Sequence, residues 1–195
     1  MKGGILCKKK EMTRLWIDDK MVPVTLLALE PQEVIRYKTD EKDGYNAVVV
    51  GTNKKTKNDK TSYGSVIEFA HDQAFADAFA QGATITSDIL SDVASVTIKG
   101  VSKGKGFQGG MKRFNLSGGE QTHGSKFHRW IGSMGNRKPR RVQKGHPHAG
   151  HMGTDAITLH NVAVLDMVTH DNTSFLIVKG SIPGAYNSTL QVVIK

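Results

Sequence analysis

Apolar and polar residues alternate in short stretches along much of the 195-residue chain, with turn-forming residues between them. Val22–Leu29 is rich in Val, Leu and Thr and ends before Pro31, which disfavours continuation of a strand. Val34–Lys38 and Tyr45–Gly51 are predicted to pair across the polar turn Asp40–Gly44. Further strands are predicted at Ser65–Phe69, Val93–Val101, Ala156–Val168, Phe175–Val178 and Leu190–Ile194. Many short strands separated by turns predict a mainly β protein, built as a small barrel of antiparallel strands.

One short helix is predicted between the strands. Asp72 is a residue type that caps helix N-termini, and Gly82 lies just past the predicted end. The apolar residues at helical spacing are Ala74, Phe75, Ala78 and Phe79. Thr52–Ser62 has no periodic apolar residue, so it is predicted to be an exposed loop that adds nothing to the core. Turns are predicted at Asp171-Asn172 and at Ile182–Gly184.

Neither helical nor strand periodicity is visible from Ser102 to Gly153, where a glycine recurs every few residues. Glycine permits close backbone approach but increases the entropy lost on ordering, so much of this stretch is expected to be mobile alone in water. The predicted organisation is a barrel body, 1–101 and 154–195, with a small peripheral α+β portion. A long, irregular Gly/Lys/Arg-rich extension, 102–153, is inserted between two of its strands.

Charge separates the same two parts of the chain. Lys99–Gly153 contains 12 of the 27 Lys and Arg but only one of the 18 Asp and Glu, Glu120. Its net charge is therefore +11, against −2 for the rest of the chain. Positive charge concentrated in one segment predicts a polyanionic partner, and nucleic acid fits best.

Several classes of protein are disfavoured by the composition. The single cysteine, Cys7, cannot form an internal disulfide, which disfavours a disulfide-stapled secreted domain and favours the cytoplasm. No apolar run approaches the roughly 20 residues of a membrane span, so no membrane partner is expected.

Lys and Arg alternate with glycine in the extension instead of following one helical face. Glycine lets backbone N–H groups approach phosphate, and the planar fork of Arg suits phosphate oxygens. The predicted RNA-binding cations are Lys103, Lys105, Lys112, Arg113, Lys126, Arg129, Arg137, Lys138, Arg140, Arg141 and Lys144.

Four aromatic residues lie among these cations with too few apolar neighbours for a local core. Aromatic rings in such surroundings stack on unpaired bases, which contributes about 1–3 kcal/mol per base. Trp130 is the predicted RNA contact, and Phe127 lies close by in the sequence. Phe107 and Phe114 leave two interpretations open, since they could instead anchor the root of the extension on the body.

Histidines are frequent in and after the extension. His123, His128, His146, His148 and His151 are predicted to donate to phosphates, 2′-hydroxyls or base edges. No Cys, Asp or Glu near the last three completes a tetrahedral set, so no metal site is predicted. No catalytic residue is predicted either, since a general acid-base pair needs two poised groups and Glu120 is the region's one carboxylate.

Four motifs stand out in this segment, namely Ser102–Gly109, Met111–Arg113, Thr122–Arg129 and Gly132–Gly135. In order, spacing and content they resemble the signature of the universal large-subunit ribosomal protein three family. Lys144-Gly145, Ala149-Gly150, Met152-Gly153 and Val178–Ala185 resemble the C-terminal half of that family. Met12–Arg14, Pro23–Thr25 and Asp43–Tyr45 resemble its bacterial form, so the resemblance covers nearly the whole chain.

The resemblance implies a structural constituent of the large ribosomal subunit, not an enzyme. It implies a barrel body on the subunit surface and an extension through ribosomal RNA toward the peptidyl-transferase region, with Gly145–Gly153 innermost. It also implies early binding during assembly, and neighbouring large-subunit proteins as further partners. No small-molecule substrate and no cofactor are expected, although structural Mg²⁺ of the rRNA is compatible with this interpretation.

Two departures from the family pattern concern the tip and the body. His151 stands where many bacterial relatives carry a methylated glutamine, so that modification is ruled out there. The stretch between Gly51 and Ser65 is shorter than usual, which predicts a reduced α+β portion. Two alternatives remain: a single-stranded nucleic-acid-binding module outside the ribosome, or, from the histidines alone, a metal-dependent RNA-processing enzyme.

Overall fold

The computed structural model describes residues 3–58, 60–135, 137–138, 140–170 and 173–194. The fold is mainly β, which confirms the predicted class. The strands are β1 (Gly3–Ile17), β2 (Lys20–Leu29), β3 (Gln32–Lys38), β4 (Ala47–Thr52), β5 (Lys55–Lys57), β6 (Lys60–Ser62), β7 (Ser65–Phe69), β8 (Thr84–Ile85), β9 (Ser95–Val101), β10 (Gly106–Gln108), β11 (Gly150–Met152), β12 (Ala156–His170), β13 (Thr173–Lys179) and β14 (Thr189–Ile194). The helices are α1 (Asp40–Asp43), α2 (Gln73–Ala78) and α3 (Gly110–Phe114), with a 3-10 turn at Ser87–Leu90.

Six long strands pair antiparallel in the order β1-β14-β9-β12-β13-β2, and β1 also pairs with β2, so the sheet closes on itself as a barrel. Alternate side chains of these strands point inward. The fully buried ones include Ile5, Leu27, Ile98, Leu176 and Leu190. Burying each contributes about 1.5–3 kcal/mol, which makes this core the main source of stability.

A second sheet, in the order β7-β4-β3-β8, shares that core through the start of β1. A Cβ added to Gly3 would lie 2.3 Å from the ring of Phe75 in α2. One added to Gly4 would lie 2.1 Å from the ring of Phe69 in β7. The two glycines thus let aromatic rings from the second sheet and its helix pack directly on the β1 backbone.

The predicted number of helices is wrong: the sequence predicts one, and the described residues contain three, all short. Helix α2 is the predicted one: the Asp72 side chain accepts a hydrogen bond from the Phe75 N–H at 3.1 Å. It ends at Ala78, four residues before Gly82. Helices α1 and α3 are single turns without an amphipathic period, so no sequence pattern indicated them.

Strand β1 was not predicted, because Lys8, Lys9, Lys10 and Glu11 interrupt any apolar alternation. The structure nevertheless buries Lys9, which is only 9% exposed. Its ammonium group donates to the carbonyl oxygens of Ile182 and Gly184. A buried charge is tolerated when it is hydrogen-bonded, and here its partners come from the far end of the chain.

The exposed loop predicted at Thr52–Ser62 needs two corrections. Thr52 is buried at the end of β4, and the described residues after it, 53–58 and 60–62, are exposed but are not an unstructured loop. Strands β5 and β6 form a hairpin with the register Lys55↔Ser62, Thr56↔Thr61 and Lys57↔Lys60. Its side chains are all exposed, so no apolar period could reveal it. The hairpin turn predicted at Asp171-Asn172 lies outside the described residues.

By its contacts, the described chain divides into two compact units. We call the sequence ranges 1–102 and 156–195 the body, and Lys103–Asp155 the basic unit. The chain leaves the body at Val101 and returns at Ala156, and these two residues are opposite each other in the β9–β12 ladder. The insertion therefore occupies the position of a hairpin turn.

We expect the body to fold without the basic unit. Replacing residues 102–155 by Asn-Gly would join Val101 to Ala156 through a two-residue turn suited to antiparallel strands. Cys7 is fully buried, and burial raises the pKa of its thiol far above the ordinary value, so a thiol reagent at pH 8 should label it only on unfolding. The variant should unfold cooperatively on heating and protect Cys7 as the full chain does. Gradual melting with rapid labelling of Cys7 would contradict the division.

Candidate nucleic-acid interface

The basic unit has a small ordered frame, where the sequence predicted irregular structure. Strands β10 and β11 pair with the register Gly106↔Met152, Phe107↔His151 and Gln108↔Gly150. The Lys105 N–H extends this ladder by donating to the Met152 carbonyl at 2.9 Å. The two ends of the segment are thereby tied together, although they are more than 40 residues apart in sequence.

Helix α3 holds the C-terminal half of this frame through Arg113. The Arg113 guanidinium donates to the carbonyl of His148 at 3.0 Å. It also lies against Gly150, where an added Cβ would be 2.8 Å from its Nη1 atom. Arg113 was predicted as an RNA-binding residue, and this internal contact is one that sequence reasoning missed.

Two glycines let the backbone of the middle segment approach itself. A Cβ on Gly118 would lie 2.5 Å from the His128 carbonyl oxygen, and one on Gly119 would lie 2.4 Å from that of Phe127. The Gly119 N–H donates to the His128 carbonyl at 3.2 Å. The His128 ring is fixed from the other side by its Nδ1, 2.7 Å from the carbonyl oxygen of Glu120.

The same segment presents a pair of aromatic rings. Phe127 and Trp130 meet edge to face with ring centroids 5.4 Å apart, and each remains 64% exposed. Phe107 is 76% exposed and Phe114 is also exposed, so both rings are accessible to a partner. Exposed rings among cations favour the interpretation that they stack on bases.

All eleven predicted cations of the basic unit lie on its surface. Among the residues the structure describes, none of them forms an ion pair with a carboxylate. The unit contains eleven Lys and Arg against Glu120 and Asp155, whereas the body contains sixteen of each sign. The whole net charge of +9 therefore belongs to the basic unit.

The predicted histidines are placed differently from one another. The rings of His146 and His148 are in contact, tilted by 40° with centroids 5.1 Å apart, and the Nδ1 of His146 is buried without a hydrogen-bond partner in the described structure. His151 is exposed, with its Nε2 2.8 Å from the Thr154 hydroxyl, and His123 is exposed in a left-handed turn. No group of three metal-ligating side chains occurs among the described residues.

Uncompensated cations beside exposed aromatic rings, on a unit inserted in a β body, are typical of nucleic-acid-binding proteins. Residues 48–193 match the family model described as Ribosomal protein L3. That match covers about three quarters of the chain, and the protein belongs to the ribosomal protein L3 family. The resemblance seen in the motifs is thus confirmed.

Membership of this family implies a structural, rRNA-binding protein of the large ribosomal subunit, in a family whose members are generally not enzymes. Ribosomal proteins of the large subunit are the neighbours that the family implies. Across the described ranges, no helix is long and apolar enough to cross a membrane.

Alanine substitutions at two glycines should show whether the close backbone approach at Gly119 holds this segment, or whether loss of a glycine's flexibility alone has the same effect. Gly119 and Gly135 both have φ outside the left-handed region, but only Gly119 has backbone within reach of an added Cβ. Gly119→Ala should force Phe127 away at a cost of about 1–3 kcal/mol. Amide hydrogen exchange over residues 118–130 should then be about 5- to 150-fold faster, since 1.4 kcal/mol corresponds to a factor of about ten.

The Gly135→Ala variant is the matched control and should leave that exchange unchanged, because no atom of the described residues lies within 4 Å of its added Cβ. Equal effects of the two substitutions would show that the close approach at Gly119 does not hold this segment.

Proposed function

We propose that this chain is a cytoplasmic structural constituent of the large ribosomal subunit whose basic unit is embedded in ribosomal RNA and reaches toward the peptidyl-transferase region. The body is the barrel that carries it, and the protein binds early enough to support assembly of the subunit. The observation that supports this most is the set of eleven surface cations without carboxylate partners in the basic unit.

Electrostatics explains why such a unit requires RNA. Eleven positive charges on 53 residues repel one another, and the protein supplies only Glu120 and Asp155 to offset them. Phosphates neutralise the cations, and the counterions released from the RNA add to the affinity. The basic unit gains its full order, on this proposal, only where phosphates surround it.

Individual roles follow from side-chain chemistry. The Arg side chains suit bidentate phosphate contacts, the Lys side chains act as point charges, and the exposed rings of Phe127 and Trp130 suit stacking on unpaired bases. His146 and His148 lie in the part proposed to be innermost, Gly145–Gly153. His151 takes the place of the family's methylated glutamine there, and we propose that it contacts RNA without modification.

Two other functions use parts of the same surface. A module for free single-stranded nucleic acid would use the same cations and rings, and a metal-dependent enzyme would need a ligand cluster. No cofactor of the protein is proposed, and any structural Mg²⁺ is assigned by this proposal to the rRNA. Sedimentation of cell lysate decides between the proposed ribosomal function and the module for free nucleic acid. At moderate salt this protein should travel with large subunits, and recovery mainly in light fractions would favour the free module.

Binding to a large-subunit rRNA fragment should depend strongly on salt. If about six phosphates are engaged, log affinity should fall with log salt at a slope of about −4 to −5. Fluorescence anisotropy of labelled RNA between 50 and 300 mM salt, roughly the range in which counterion release dominates, measures this slope. An affinity that does not change with salt would overturn the proposal.

The two tryptophans offer a matched test of base stacking, since Trp130 is in the basic unit and Trp16 is in β1 of the body, 70% exposed. Trp130→Ala should weaken binding to the rRNA fragment by about 1–3 kcal/mol, the contribution of one stacked base. Trp16→Ala should leave the affinity unchanged. Equal affinities of the two variants would show that Trp130 does not stack on RNA.

A further inference from the structure

The β5–β6 hairpin of the body carries a group of cations that the function proposed above does not use. Opposite residues of a two-stranded sheet share a face, as do residues two apart along a strand. The register Lys55↔Ser62 and Lys57↔Lys60 therefore places Lys55, Lys57 and Lys60 on one face. Thr56 and Thr61 are on the other.

Among the described residues, no carboxylate compensates the positive charge of this face. Lys57 is directly opposite Lys60, and like charges at such positions are about 5 Å apart at Cβ and destabilise the pair. All three lysines are exposed, and none forms an ion pair within the described ranges. The preceding lysine, Lys54, differs: its ammonium group lies 2.8 Å from a carboxylate oxygen of Glu33.

The base of the hairpin is held firmly to the second sheet of the body. The Gly64 N–H donates to the Thr52 carbonyl at 2.9 Å. The ring of Tyr63 covers Gly51, where an added Cβ would be 2.6 Å from it. With the Lys54–Glu33 ion pair, these contacts fix the position from which the three cations are presented.

The charge of the body is also uneven around this hairpin. The hairpin, residues 55–62, contains three of the sixteen Lys and Arg of the body and one of its sixteen Asp and Glu, Asp59. It thus carries +2, and the remainder of the body carries −2. A local excess of cations on a surface that is otherwise slightly acidic attracts a polyanion to that place and not to the body as a whole.

We propose that the β5–β6 hairpin is a second RNA-binding site, which holds the phosphate backbone through Lys55, Lys57 and Lys60. No aromatic ring lies within the hairpin strands, so the contact is to phosphate and not to bases. The site rests on the proposed function, because it takes the same large-subunit rRNA as its ligand. It adds a contact from the body to those of the basic unit.

The experiment compares four full-length proteins by anisotropy with a transcript of the complete large-subunit rRNA over a range of salt. They are the unchanged chain, a hairpin variant (K55Q, K57Q and K60Q), a body control (K20Q, K42Q and K179Q) and a basic-unit variant (R140Q, R141Q and K144Q). The body control removes the same charge from exposed positions elsewhere on the body. Thermal unfolding checks that every variant folds, and the hairpin variant should be no less stable because it loses a like-charge pair.

The salt slope of the hairpin variant should be shallower than that of the unchanged chain by about 2, because each lost phosphate contact removes about 0.7–0.9. The body control should keep the original slope. In the complex, Lys55, Lys57 and Lys60 should also be protected from an amine-acetylating reagent, whereas Lys20, Lys42 and Lys179 stay reactive.

Three results would overturn this site. An unchanged slope in the hairpin variant together with a shallower slope in the basic-unit variant would leave the proposed function standing and remove the hairpin from it. If the slope became shallower by the same amount in the hairpin variant and in the body control, the effect would be one of net charge alone. Salt-independent binding by the unchanged chain would overturn the proposed function and the hairpin site together.

Discussion

Electrostatic neutralisation is the constraint on which the rest of this structure depends. The body balances sixteen cations with sixteen carboxylates, and several of them form ion pairs, such as Lys8 with Glu30 and Lys38 with Glu68. The basic unit has no such balance, and its apolar contacts are few, as where Leu116 and Ile131 pack at Gly110. One unit therefore balances its charges internally, whereas the other carries nine positive charges that the chain does not balance.

Glycine serves different purposes in the two units. In the body, Gly3 and Gly4 leave room for aromatic rings, so that the second sheet can share the core of the closed sheet. In the basic unit, Gly118 and Gly119 leave room for carbonyl groups, so that backbone packs on backbone with little apolar surface buried. The first use adds to the hydrophobic core, and the second keeps a cationic segment compact without one.

Much of the fold could be predicted where alternation was strong. Strands β2, β7, β12 and β14 begin or end within two residues of their predicted limits. Strand β1 was missed because its lysines obscure the pattern, and β10 and β11 because three-residue strands have no period to detect. All seventeen predicted site residues lie within Lys103–Asp155, but the use of Arg113 to hold the frame of that unit was not foreseeable from spacing.

The sequence by itself determined the family, the mainly β class and the segregation of positive charge, because these follow from the order and kind of residues along the chain. Tertiary structure alone decided which cations have hydrogen-bond or ion-pair partners within the protein. Lys9 is buried against carbonyls about 170 residues away, Lys54 meets Glu33 of a neighbouring strand, and Lys55, Lys57 and Lys60 are left facing solvent. Partners distant in sequence meet only when the sheets form, so no local pattern can tell a paired lysine from an unpaired one.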